Sequence, residues 1–306
     1  MTTCDVRDLT LIYSDTYQYS LPKNILENFL QGTAFDNKTP YTTQELEQIY
    51  QDINNLFQKT ITVNPDKVKI AYITAGAPGA GKTTLTHQIL DKKILEENVA
   101  YVCPDDTGLP ALTGYQQISK ENPTAAYTKL RPASNGAMHW ILANLIRENY
   151  AFYFGSTSSS PLTGKFFEFL KKQGYEIRLI HVTAPDDVRW KSIQERDKTI
   201  IQTTEQDIKE KGRMVYERLN DTFLKFADRI DFYYRDEVDL DAQQVATWYR
   251  NADNEKEPGT LEIVNASLYG PLKNVHNEAM KLLKPNEDLS WEATIEKHSK
   301  VLIPMI

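Results

Sequence analysis

Gly76, Gly81, Lys82 and Thr83 stand at the spacing G-x-x-x-x-G-K-[ST], written here as Gly76-Ala77-Pro78-Gly79-Ala80-Gly81-Lys82-Thr83. Those residue types at that spacing suit a polyphosphate. Glycines let the backbone curl until several N–H groups point at phosphate oxygens. A helix starting at the loop adds the positive end of its dipole. Lys82 reaches the outer phosphates, and the Thr83 hydroxyl offers a ligand to Mg²⁺. With Thr84, the run 76–84 forms one candidate nucleotide-binding stretch. The competing reading is a glycine-rich turn that lets a helix pack close to a sheet.

Other residues could act beside such a loop. Cys103-Pro104-Asp105-Asp106 follows a short apolar run, and strand C-termini beside a phosphate loop face the ligand. A carboxylate there takes the proton of an acceptor hydroxyl or binds Mg²⁺ through water. It is equally an acidic turn after a proline. Asp105 and Asp106, if extended, point in opposite directions. Arg196 closes a helix at a position where a cation neutralises charge on a transferred phosphoryl group, or simply complements the helix dipole. Ser156-Thr157-Ser158-Ser159-Ser160 offers hydroxyls to phosphate or substrate, or is a flexible loop. His181 lies inside an apolar run and reads as a satisfied core histidine. His87 and His139 share no metal-ligand spacing. Trp140 and Trp190 read as packing residues.

The elements that must position these groups alternate. Val68–Thr74 reads as a strand and Thr83–Leu95 as a helix, on either side of the loop. Upstream, Thr42-Thr43-Gln44-Glu45 forms a capping box, and Leu46, Ile49, Tyr50, Ile53 and Leu56 recur at helical spacing. Downstream, strands are expected at 99–102, 151–154, 177–182 and 230–234. Helices are expected at 133–149, 162–173, from Pro185, and from Thr203 towards Ala227. Gly174 stops the second of these, and Pro185 suits a first helical turn. This alternation predicts an α/β fold with a mainly parallel central sheet and helices on both faces. Residues 1–40 read as an N-terminal extension, 41–250 as the main domain and 251–306 as a C-terminal helical extension. Within the last, 251–260 reads as a loop and 274–283 as a helix.

Composition bounds the function. A net charge of −7 over 306 residues argues against broad nucleic-acid binding, which needs a basic surface. Cys4 and Cys103 give neither a disulfide framework nor zinc spacing. No apolar run is long enough to span a bilayer, and no secretory h-region is visible. A cytoplasmic protein is the simple reading, and the acidic tail 286–300 permits export to a host cell.

Taken together, the segments resemble the zeta-toxin family of P-loop kinases over about residues 40–238. The resemblance rests on GAPGAGKT, the PDD at 104–106, Gly155-Ser156 after the third strand, KKQGYEIRLIHVTAP at 171–185, IQER at 193–196 and FYYRDEV at 232–238. It implies an ATP- and Mg²⁺-dependent kinase, and the bacterial toxins of the family phosphorylate UDP-N-acetylglucosamine. It gives Lys82 and Thr83 the ATP phosphates and Mg²⁺, Asp105 the role of general base, and Arg196 that of a phosphate-stabilising arginine. Asp106, Phe154 and Ser156 become substrate-side candidates. Ser156 stands where the family has a threonine. Phe154 replaces the family's glutamate, which puts the sugar-nucleotide substrate in doubt. The second lid arginine has no clear match; Lys198, Lys209 and Arg213 are candidates. A kinase with another acceptor, such as a different metabolite or a polynucleotide end, and a non-catalytic nucleotide-binding protein stay open. A guanine-specific switch is disfavoured, since Asn37-Lys38-Thr39 lacks the aspartate of the guanine motif. The family also implies a small antitoxin as partner.

Overall fold

The computed structural model describes residues 41–62, 66–96, 98–196, 205–251 and 257–303. The N-terminal extension expected at 1–40 lies outside the described residues. In chain order the principal elements are α1 (Thr43–Thr62), β1 (Ile70–Ala75), α2 (Lys82–Glu96), β2 (Ala100–Val102), α3 (Thr113–Ile118), α4 (Pro123–Arg147) and β3 (Phe152–Phe154). There follow α5 (Thr163–Lys172), β4 (Glu176–Thr183), α6 (Asp186–Arg196), α7 (Glu205–Arg218), β5 (Arg229–Tyr234), β6 (Gln243–Tyr249), β7 (Gly259–Ile263), α8 (Ala266–Leu283) and β8 (Ser299–Leu302). The fold is α/β with a mixed, mainly parallel sheet. Among the described residues no helix is long and apolar enough to cross a membrane.

Two compact units divide the chain. Of the described residues, one comprises those within 41–70 and 91–155; the other comprises those within 71–90, 156–196 and 205–303. In the first, β2 and β3 pair in parallel with Val102 opposite Phe154. Helix α1 starts with the expected capping box: the Thr42 N–H donates to Glu45 Oε2 at 2.8 Å, and the Glu45 N–H to Thr42 Oγ1 at 3.2 Å. Its face Ile49, Ile53 and Phe57 is buried, and Phe57 meets Trp140 of α4 edge-on at 5.3 Å.

Helix α4 begins ten residues before the expected start at Ala133, at Pro123, with Asn122 capping the Ala125 N–H at 2.9 Å. Pro132 lies inside the helix and reads in sequence as a breaker. A proline in a helix interior removes one hydrogen bond. Here the buried face on both sides of it, including Leu130, Ala133 and Ala137, keeps the helix continuous. The same correction applies to α8, which starts at Ala266 and contains Pro271 rather than starting at Asn274.

In the second unit the strands run in the order β1-β4-β5-β6-β7-β8. Strands β4 and β5 are parallel, β6 is antiparallel to both β5 and β7, and β8 is parallel to β7. The region expected to be a helical tail therefore also supplies two strands. Strand β8 is mostly exposed, so backbone pairing with β7 makes it a strand, and no alternation of apolar side chains announces it. Strand β6 was likewise not anticipated. It mixes Gln243, Gln244 and Thr247 with apolar residues, and its state is set by its antiparallel partners. The core between sheet and helices holds Phe167, His181, Phe223, Phe232 and Trp291, all buried.

Candidate active site

Strand β1 delivers the chain to the glycine loop and α2 carries it away. Gly79 and Gly81 have φ of 80° and 92°, which L side chains rarely adopt. A methyl group on Gly79 would also lie 2.3 Å from the Arg189 carbonyl oxygen. The Ala80 N–H closes a turn on the Ala77 oxygen at 3.2 Å, and α2 makes its first bond from the Leu85 N–H to the Gly81 oxygen at 3.1 Å. The N–H groups that begin a helix have no partner within it, which leaves donors for an anion. The Lys82 amine folds over the loop and donates to the Ala77 oxygen at 2.9 Å. Thr83 and Thr84 are exposed on the first turn of α2. A curled glycine backbone, a lysine over it and an accessible Thr83 hydroxyl fit a Mg²⁺-bearing nucleotide, with phosphate and water supplying the other oxygens.

The serine run is ordered, contrary to the flexible-loop reading. The Ser156 N–H donates to Thr74 Oγ1, and that hydroxyl donates back to the Ser156 oxygen, both at 2.8 Å. Ser158, with φ of 52°, donates from Oγ to the Thr74 oxygen at 2.7 Å. The Gly76 N–H reaches the Thr157 oxygen at 3.1 Å. Ser156 Oγ accepts from the Ser158 N–H at 3.0 Å. Thr74, at the end of β1, is thus the anchor that holds Ser156 beside the start of the phosphate loop. It carries no motif of its own.

Arg196 is the exposed last residue of α6. Of the candidate second arginines, Lys198 lies outside the described residues and Lys209 pairs with Glu205 at 2.9 Å. Arg213 on α7 has a buried Nε without a hydrogen-bond partner among the described residues. Arg235, which the sequence reading passed over, sits just past β5 and touches the phosphate loop through the Gly79 oxygen. Its position at a parallel strand's C-terminal end was the available signal.

In the first unit, the PDD segment forms one π-helical turn, Pro104–Gly108. Asp105 and Asp106 are therefore not opposed as on an extended segment, yet they have separate partners. Asp105 is ion-paired with Arg131, whose Nη2 donates to Oδ2 at 3.3 Å. Asp106 accepts from the Tyr101 hydroxyl at 2.8 Å. Burial pushes the Tyr101 phenol above its ordinary range, and the bond to Asp106 adds to this. Phe154 ends β3, is 7% exposed and meets His139 of α4 edge-on at 6.1 Å. Burial lowers the His139 pKa to about 4, so this imidazole is a neutral, apolar-facing neighbour.

His181 lies in the core of the second unit as expected, among Tyr216, Phe223 and Phe232. It is half-satisfied: Nδ1 shares a bond with Thr183 Oγ1 at 3.3 Å, and Nε2 has no hydrogen-bond partner among the described residues.

Strand, curled glycine loop, lysine and helix, set in a mainly parallel sheet, define a P-loop phosphotransferase. The family model described as Zeta toxin matches residues 53–255. That span is more than half of the chain, and the chain belongs to the Zeta toxin family, whose phosphotransferases are P-loop kinases. Among solved structures, AvrRxo1-ORF1:-ORF2 with ATP is similar at TM-score 0.58 and 12% identity, over 94% of this chain and 93% of that one. The native AvrRxo1-ORF1:-ORF2 complex gives TM-score 0.55 at 12% identity, over 95% and 98%. The PezAT toxin–antitoxin system of Streptococcus pneumoniae gives TM-score 0.49 at 19% identity, over 66% and 81%. At 12% identity the likeness to the two AvrRxo1-ORF1:-ORF2 structures speaks to fold alone. No curated protein matches the chain.

Proposed function

We propose that this kinase transfers the γ-phosphoryl group of ATP to a hydroxyl of a small-molecule acceptor. The observation that carries the reading is the phosphate loop, with positive-φ glycines, Lys82 above it and the Thr83 hydroxyl open at the head of α2. AvrRxo1-ORF1:-ORF2, which shares the fold, is seen with ATP. Mg²⁺, when bound, would neutralise phosphate charge and take one ligand from Thr83. Lys82 holds the outer phosphates. Asp105 accepts the hydroxyl proton as the acceptor oxygen bonds to the γ-phosphorus, and the β–γ bridging P–O bond breaks to release ADP. Arg196, and Arg213 as the described candidate with an unpartnered Nε, stabilise the transferring group.

Ser156 supports the acceptor side as an anchored hydroxyl, and Phe154 supports an apolar wall. A nucleotide sugar lacking a carboxylate contact at Phe154 is a poor acceptor on this reading. The complex of AvrRxo1-ORF1 with ORF2 makes a protein antitoxin part of the same proposal, to be tested by affinity capture from the native host.

A single-turnover assay tests the function: labelled ATP, Mg²⁺, the purified chain and a metabolite extract. Transfer of label to one organic product, absent in Lys82→Ala, is expected. A wild type that neither transfers label nor binds nucleotide would overturn it.

A further inference from the structure

The Arg235 side chain bonds to the phosphate loop and to two further segments, and none of the roles considered above uses it. A guanidinium carries five N–H donors in a rigid planar fork. Here the fork spans three elements of the second unit. Nη1 donates to the Gly79 oxygen at 3.4 Å and to Ser192 Oγ of α6 at 3.0 Å. Nε donates to the Glu237 and Leu240 oxygens, each at 3.0 Å. Nη2 donates to the Val238 oxygen. The stem lies against the loop as well: a methyl group on Gly81 would sit 3.2 Å from Arg235 Cδ.

The contact to Gly79 fixes one peptide plane. The Gly79 oxygen and the Ala80 N–H belong to the same planar trans unit and point opposite ways. Arg235 holds the oxygen, and the Ala77 oxygen holds the Ala80 N–H at 3.2 Å. The middle of the loop is therefore pinned at both ends of that plane, and the neighbouring N–H groups keep their direction. The contact to Ser192 extends this to α6. Ser192 and Arg196 lie four residues apart on that helix, so they share a face.

We infer that Arg235 is a positioning residue for the nucleotide. It locks the phosphate loop in its anion-accepting shape and ties it to α6 and to the segment 236–240. This rests on the reading that ATP occupies the loop. Arg235 acts through Gly79 and Ser192, so its loss weakens nucleotide affinity and leaves acceptor affinity alone. Lysine concentrates its charge on one ammonium and cannot reach all three elements at once, so Arg235→Lys recovers only part of the affinity.

The test is titration of MgADP and MgATP into the wild type, Arg235→Met, Arg235→Lys, Ser192→Ala and a control, Arg250→Met, with melting curves for each. Arg250 is a comparable arginine that donates to the Ala227 and Leu224 oxygens at 3.0 and 2.9 Å. Loss of a charge-assisted bond corresponds to about 10-fold or more in Kd. Arg235→Met is expected to lose that much and Arg235→Lys less. Ser192→Ala is expected to lose a few-fold, and Arg250→Met to bind as the wild type whatever its melting temperature. If Arg235→Met does not fold, Arg235→Lys and Ser192→Ala decide the matter by the same readout. Wild-type affinity in the Arg235 and Ser192 variants, or an equal loss in Arg250→Met, would overturn the inference alone. A wild type that binds no nucleotide would overturn the kinase reading and the inference with it.

Discussion

Arg131 holds both oxygens of Asp105, with Nε 3.0 Å from Oδ1 and Nη2 3.3 Å from Oδ2. The guanidinium is itself fixed within α4, since Nε donates to the Tyr127 hydroxyl at 3.1 Å and Nη1 to Asn135 Oδ1 at 2.6 Å. The Asp105 side chain remains 54% exposed. A carboxylate oriented from one side and open on the other suits a group that must meet an incoming hydroxyl.

Asp105→Asn is therefore expected to lose roughly 10²-fold or more in kcat, in line with removal of a general base, while binding ATP as before. Asp106→Asn, whose carboxylate answers to Tyr101, should lose much less. Arg131→Met should lower kcat by about 10-fold through misorientation of Asp105, with Arg131→Lys intermediate. Initial rates with the identified acceptor decide this. Greater damage in Asp106→Asn would move the base to that residue.

Lys82→Ala should cost about 3 kcal/mol of transition-state stabilisation, on the order of 10²-fold or more in kcat. Its melting temperature should stay close to the wild type, because the Lys82 contact is to the loop's own Ala77 oxygen. Paired kinetic and melting measurements check both halves. An unchanged turnover would remove the loop from the chemistry.

Phe154 gives a substrate prediction. An aromatic ring accepts no hydrogen bonds from sugar hydroxyls, so UDP-N-acetylglucosamine should turn over far below the ~10 s⁻¹ of a typical enzyme. The reciprocal variant has a structural penalty. Phe154 is buried against the neutral His139, and an unpaired carboxylate there is unfavourable. Phe154→Gln is the gentler probe, and a gain in sugar-nucleotide rate in that variant would support the assignment. Efficient turnover by the wild type would refute it.

Stability should depend on pH through His139, His181 and His276. Burial lowers their pKa values to about 4, about 3 and about 4, whereas an imidazole in the unfolded chain titrates near ~6.5. Between those values the unfolded chain binds more protons, so stability falls as pH drops through this window and levels off below it. Between pH 7 and pH 4.5 each such histidine contributes a loss of roughly 2–3 kcal/mol. Urea denaturation at pH 7 and pH 4.5 measures it. His276→Gln should flatten the slope, and an unchanged slope would count against the buried histidines as its cause.

How much of this was legible depended on how far apart the partners lie. The phosphate loop, its flanking β1 and α2, and the Thr42–Glu45 capping box are contiguous in sequence, and each follows from local backbone chemistry. The starts of α4 and α8 were misplaced, and packing of a buried face carries both helices through an internal proline, Pro132 and Pro271. Strands β6, β7 and β8 were missed because backbone pairing with neighbours across the sheet makes them strands.

The sequence by itself determined the class of chemistry, since glycines take up φ values that L side chains rarely adopt and a lysine followed by a hydroxyl suits a polyphosphate. Tertiary structure alone decided what holds the site in shape. Arg131 is 26 residues from Asp105, Thr74 is 82 from Ser156, and Arg235 is 156 from Gly79. Local propensity says nothing about such pairs. They exist because the packed elements bring a donor to an acceptor within hydrogen-bond reach, a coincidence that only the folded chain creates.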